Sequence, residues 1–101
     1  MVVLAKKTLY DQLRAQIPAV PPPDKLLVTR GVMGLGSEAV AAILAKVRDF
    51  DTFSEDNDPW GEHDLGTFEH DGAMVMFKID DYTQQPEPYR YVLTVLLAQE
   101  Y

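Results

Sequence analysis

Asp71-Gly72 stands between "LGTFEH" and "AMVMFKI". Aspartate and glycine both tolerate positive φ, so the pair reads as a two-residue turn joining antiparallel strands over residues 65–79. Such a turn fixes register, setting His70 opposite Ala73, Phe68 opposite Val75 and Gly66 opposite Phe77. It also fixes sidedness, because successive side chains on a strand point to opposite faces. The rest of the chain must supply a cover for whichever face is apolar.

Residues 4–17 provide one cover. Leu9, Leu13 and Ile17 recur every fourth residue with Tyr10 beside them, while Lys7, Gln12, Arg14 and Gln16 are expected mostly opposite. That pattern predicts an amphipathic helix. "IPAVPPPD" ends it, since its prolines forbid helix and favour a stiff, extended connector. "KLLVTRGVM", residues 25–33, reads as a strand, and Gly34-Leu35-Gly36 breaks it. Ser37 is the expected N-cap of a second helix with an apolar stripe of Val40, Ile43, Leu44, Val47 and Phe50. "YRYVLTVLLAQEY" closes the chain as a strand, with Tyr89, Tyr91, Leu93, Val95 and Leu97 on one face; helix is the alternative, since Val92, Leu96 and Leu97 also suit that period. The order is helix, strand, helix, strand, strand, strand. This predicts a single α+β domain of two layers, with two helices and a mainly antiparallel four-stranded sheet. Its parts are the N-terminal helix (1–17), the proline-rich connector (18–24) and an α+β core (25–101).

Charge is strongly polarised. Between Asp49 and Asp81 there are 11 acidic residues against one base, Lys78, within a chain of net charge −7. An acidic field of this kind repels phosphate and attracts basic protein surfaces, which excludes direct nucleic-acid binding through this segment. The absence of cysteine rules out a disulfide framework and fits a reducing compartment. No signal peptide or membrane span is read at the N-terminus, so the expected location is cytoplasmic.

Both histidines lie in "GEHDLGTFEHDG", which contains Glu-His-Asp twice: Glu62-His63-Asp64 and Glu69-His70-Asp71. These residue types can ligate zinc, manganese or iron. Positions seven apart on one strand face opposite ways, however, so His63 and His70 are not expected to share an ion. "DNDPWGEHD" departs from a calcium-binding loop at Trp60 and Thr67. No serine or cysteine nucleophile accompanies the carboxylates, since Ser37 and Ser54 read as cap or turn residues. "GLGSEA" fits G-x-G-x-x-A, yet the chain lacks the parallel βαβ units of a dinucleotide fold. The plainer reading has Glu62 and Asp64 satisfying backbone donors, His63 packing in the loop, and Glu69 and Asp71 flanking a solvated turn. Trp60 is a core anchor if buried and an interface hot spot if exposed.

The block "EDNDPWGEHDLGTF", with "LLVTRGV", "VRDFDTF", "FKIDDY" and "YVLTVLLAQEY", resembles a family of small, mostly proteobacterial proteins known as a domain of unknown function, family 3768. The resemblance runs from Leu26 to Tyr101. It implies a shared fold and a shared site around Glu55, Asp56, Asn57, Asp58, Gly61, Glu62, His63 and Asp64, but no reaction. Carriage on plasmids and other mobile elements is part of what it implies. The second triplet lies outside the family motif, and "DDYTQQPEPY" is shorter than the family's loop.

The leading expectation is therefore a non-enzymatic, acidic, protein-binding module without cofactor or metal, using Glu55, Asp56, Asn57, Asp58, Trp60, Glu62, His63 and Asp64. Its partner would carry a basic surface, in the sharper version as a DNA- or RNA-binding defence protein inhibited by nucleic-acid mimicry. The alternative is a metal-binding protein or metal-dependent enzyme built on Glu62, His63 and Asp64. A third reading is a homodimer sealed by an apolar face of the hairpin or terminal strand.

Overall fold

The computed structural model describes residues 5–56, 58–85 and 88–101. It is a mixed α+β structure with a four-stranded, mostly antiparallel sheet. The elements are α1 (Lys6–Ala15), β1 (Lys25–Val28), α2 (Arg30–Met33), α3 (Ser37–Arg48), β2 (Leu65–His70), β3 (Ala73–Asp81) and β4 (Tyr91–Leu97), closed by a 3-10 turn, Ala98–Glu100. The sheet order is β1-β4-β3-β2. β1 runs parallel to β4, while β4–β3 and β3–β2 are antiparallel.

The hairpin has the register its turn demands, with His70 opposite Ala73, Phe68 opposite Val75 and Gly66 opposite Phe77. Asp71 and Gly72 both have positive φ, at 48° and 84°. Gly66 is held to glycine by its neighbours: a Cβ there would collide with the Phe77 ring and crowd Phe50.

Three expectations are corrected. The stretch 25–33 is not one strand: it ends at Val28 and gives way to the four-residue α2. Thr29 explains the break, because its Oγ1 accepts from Val32 N and caps that helix. The terminal strand stops at Leu97. There Glu100 turns back, accepting from Thr29 Oγ1 at 2.7 Å, Leu97 N at 2.7 Å and Gly31 N at 3.2 Å. These bonds, led by the one from Thr29, hold the Glu100 carboxyl below the ordinary range. At α3 the cap position is Gly36, with φ 103°, rather than Ser37, which is the first helical residue.

The proline connector is folded rather than uniformly extended, with Asp24 N bonded to Pro21 O. Asp24 then binds the Arg90 guanidinium through both oxygens, at 3.2 and 3.0 Å, and accepts from Tyr91 N. The connector is thereby fastened to the start of β4.

One core joins the helices to the sheet. Tyr10, Leu13 and Ile17 meet Ile43 and Val47 of α3, together with Val75, Phe77 and Ile79 of β3 and Leu93 and Val95 of β4. Alternation along β3 and β4 supplies these inward residues. The N-terminal helix is thus part of the core.

Candidate functional site

The loop from Phe53 to Asp64 connects α3 to β2 and rests on α1. Asp58 organises it. Its side chain is buried, and its carboxylate accepts from Glu62 N and His63 N, both at 3.0 Å. Its backbone N–H donates to Ser54 O at 2.7 Å, and its carbonyl accepts from Gly61 N at 3.1 Å. One aspartate therefore closes the turn from both sides, as short acidic side chains do in loops. The turn needs left-handed backbone at Gly61 (φ 65°) and His63 (φ 62°). For histidine this conformation is uncommon and persists only when surroundings enforce it.

Those surroundings come from distant parts of the chain. The His63 ring stacks on Phe53, with centroids 3.7 Å apart and planes 5° from parallel. Its Nδ1 donates to Asp11 Oδ1 at 2.8 Å. Asp11 also accepts from the Arg14 guanidinium one turn along α1. Arg14 is buried at 3% exposure and donates to Phe50 O at 2.9 Å. Its guanidinium lies 5.0 Å from the Phe53 ring centroid and 5.4 Å from that of Phe77. Burial draws its pKa down, and the Asp11 charge opposes that shift.

Arg14 was expected on the outer face of the helix, and this is a correction. Tyr10, Leu13, Arg14 and Ile17 follow the i, i+3, i+4, i+7 spacing of a single inward stripe, so the arginine sits in the apolar face. Asp11 neutralises it through Nη2 and the Val47 and Phe50 carbonyls accept from Nη1, which leaves the buried Nε without a hydrogen-bond partner among the described residues. Asp11, Arg14 and Phe53 are the residues that sequence reasoning missed. The stripe itself was the available signal.

The remaining candidates separate into two groups. Glu62 reaches Lys6 at 3.6 Å. Asp64 is half-buried, and burial above all pushes its carboxyl pKa up, with Glu62 and Asp58 adding to the rise. Glu55, Asp56 and Trp60 face solvent, Trp60 at 85% exposure. Asn57 lies outside the described residues. Asp58 binds the Glu62 and His63 backbone donors, while the Asp64 carboxylate takes a bond from its own backbone N–H.

Among the described residues, no group of three or more histidine, aspartate or glutamate side chains is placed to hold a metal ion. His63 spends Nδ1 on Asp11, while its Nε2 stands 3.8 Å from Asp58. No described helix is long and apolar enough to cross a membrane.

A family model described as a protein of unknown function (DUF3768) matches residues 28–100. The chain belongs to the DUF3768 family. The match agrees with the resemblance over Leu26–Tyr101 and takes in the whole loop from Phe53 to Asp64. No curated protein and no solved structure matches the chain. Helix α1, which supplies Asp11 and Arg14, lies outside the DUF3768 match.

Proposed function

We propose that this protein is a non-catalytic binding module whose Phe53–Asp64 loop presents Trp60 to a protein partner with a basic surface. The observation that carries the reading is the exposure of Trp60, at 85%, on a turn otherwise pinned from beneath. A large indole held in water by a fixed backbone gains much on burial and loses little entropy when docked. Tryptophans of this kind are the residues most often found as interface hot spots, worth about 2 kcal/mol or more. Glu55 and Asp56 stand exposed in the same loop and give it a negative flank. Such a flank favours cationic surfaces and speeds encounter with them.

The finer reading is an inhibitor that occupies the phosphate-gripping surface of a DNA- or RNA-binding defence protein. The acidic segment supports it, though fewer carboxylates serve than the sequence contains. Asp58 is turned inward, and Asp49, Glu62 and Asp80 are paired with Arg48, Lys6 and Lys78.

Affinity capture from source cells, with the wild type and Trp60→Ala in parallel, tests the reading. The expected result is a nucleic-acid-binding protein held by the wild type, displaced by DNA or RNA, and bound about 30-fold more weakly by Trp60→Ala. Glu55→Gln with Asp56→Asn should weaken capture further as salt is lowered, because the charge contribution is then largest. Equal capture by Trp60→Ala, or capture indifferent to salt, overturns it.

A further inference from the structure

The sheet ends at β1 on one side and β2 on the other. Natural edge strands are blunted by short length, proline, lysine or a bulge, because their unpaired backbone groups template another chain. β1 follows this rule, with four residues and Lys25 among them. β2 does not: its six residues, "LGTFEH", include neither proline nor lysine. Its pairing with β3 runs unbroken from Leu65 with Lys78 to His70 with Ala73, so no bulge twists this edge away.

Which backbone groups the edge offers follows from one bond. Ile79 N donates to Asp64 O at 2.8 Å, which makes these two a hydrogen-bonded pair of the antiparallel ladder. Such pairs alternate with non-bonded ones, so Gly66, Phe68 and His70 bond to β3. Leu65, Thr67 and Glu69 therefore aim their N–H and C=O groups away from the sheet. None of the three residues is buried, and among the described residues these groups have no hydrogen-bond partner.

A cavity of about 460 Å³ adjoins the same edge, between β2 and the end of α3. Phe50 and Phe68 line it with rings, and Asp49, Asp51 and Glu69 line it with acid. Arg48 holds both carboxylate oxygens of Asp49, at 3.0 and 3.2 Å. Asp51 and Glu69 have no cationic partner among the described residues. Lys46, the one base among the described lining residues, spends its ammonium on His70 Nδ1 at 3.0 Å.

We infer that β2 is the docking edge for an extended, basic segment of a partner protein, which adds a fifth strand to the sheet. The outward residues set the backbone chemistry: a strand meets donors and acceptors that recur along a line at every second residue. The cavity sets the side-chain chemistry. A strand laid about 4.8 Å beyond β2 sends alternate side chains to the helix side of the sheet, the side of Phe68. An arginine or lysine there rests its stem on the Phe50 and Phe68 rings and brings its charge beside Asp51. A second copy of this chain is the wrong occupant. "GEHDLGTFEHDG" holds four carboxylates and neither lysine nor arginine, and pairing two such edges would bring like charges together. The edge is a different surface from Trp60 and stands whether or not that indole docks.

The test adds a blocked octapeptide of alternating arginine and valine to the full chain at low salt. The Leu65, Thr67 and Glu69 amides should become protected from hydrogen exchange. The same peptide with every amide N-methylated keeps its charge and loses its strand hydrogen bonds. It should bind at least about 10-fold more weakly, and an alternating glutamate–valine peptide should not bind. Thr67→Pro removes an outward N–H while sparing the ladder to β3, and should weaken the arginine–valine peptide at least about 10-fold. Asp51→Asn with Glu69→Gln should weaken it about 5-fold, an effect that high salt erases. Trp60→Ala should bind it as the wild type does. No binding of the arginine–valine peptide overturns the inference, as does equal binding of the N-methylated or glutamate peptide, or equal binding by folded Thr67→Pro. If Thr67→Pro does not fold, the N-methylated peptide and the amide protection still decide. Binding lost in Trp60→Ala moves the peptide to the loop and overturns it. Self-association of the wild type that Thr67→Pro abolishes assigns the edge to a second copy and overturns it as well.

Discussion

The two Glu-His-Asp triplets share every residue and almost no physics. In the first, His63 has positive φ, lies flat on Phe53 and donates from Nδ1 to Asp11. In the second, His70 ends a strand, and its Nδ1 accepts from Lys46 Nζ at 3.0 Å. The same ring nitrogen thus donates in one copy and accepts in the other. The aspartates diverge too: Asp64 is half-buried, whereas the Asp71 side chain is 91% exposed at the hairpin turn. The tripeptide therefore specifies no chemistry of its own. What distinguishes the copies is the company provided by residues up to 52 positions away.

The largest expected effect falls on the partner the first triplet borrows. Asp11→Ala strips the counter-charge from buried Arg14 and the acceptor from His63. Denaturant unfolding should show a loss of about 2–3 kcal/mol, below the full value for a buried pair because Asp11 is itself partly exposed. A loss within about 0.5 kcal/mol would mean that the polar cluster is ornamental and the contrast between triplets superficial.

His63→Ala should cost about 1–2 kcal/mol, and His70→Ala, whose ring is as well covered but bonds only to exposed Lys46, about 0.5–1 kcal/mol. A double-mutant cycle sharpens this, with coupling of about 1 kcal/mol for Asp11–His63 and close to none for Lys46–His70. Equal costs for the two histidines would break the comparison.

Asp64 of the first triplet couples stability to pH. Because the folded-state pKa of Asp64 is raised, the folded protein binds more protons than the unfolded chain between the ordinary aspartate value and that raised one. Ionised Asp64 therefore costs stability above this window, and the cost disappears as pH falls through it. Asp64→Asn should melt above the wild type at pH 7, with the gap closing on acidification. A constant gap at all pH values would assign the Asp64 effect to hydrogen bonding instead.

The smallest effect on stability is expected at the most conspicuous residue. Trp60→Ala should change unfolding free energy by less than about 0.5 kcal/mol, since the indole touches mostly water. A larger loss would return Trp60 to the structural side.

Much of the fold was legible in local pattern. Asp71-Gly72 announced the hairpin with its register, and the stripe from Val40 to Val47 announced α3. Thr29 was harder, because a capping hydroxyl inside an apolar run looks like a β-branched strand residue until its bond to Val32 N is seen. The parallel β1–β4 pairing is non-local, and no turn chemistry encodes it. In the loop, Glu55, Asp56 and Trp60 lie at the surface as contact residues must, whereas Asp58 does not. Which aspartate turns inward depends on where the Glu62 and His63 amides point, a consequence of tertiary folding that residue type does not contain.

Arg14 holds a further lesson for anyone wishing to trim this molecule. A fragment cut to the span shared with its relatives would discard the guanidinium that bridges the end of α3 and two aromatic rings. Water would enter beneath Phe53, and the turn that carries Trp60 would lose the support of His63 through Asp11. The opening helix is the keel of a loop it does not adjoin in sequence.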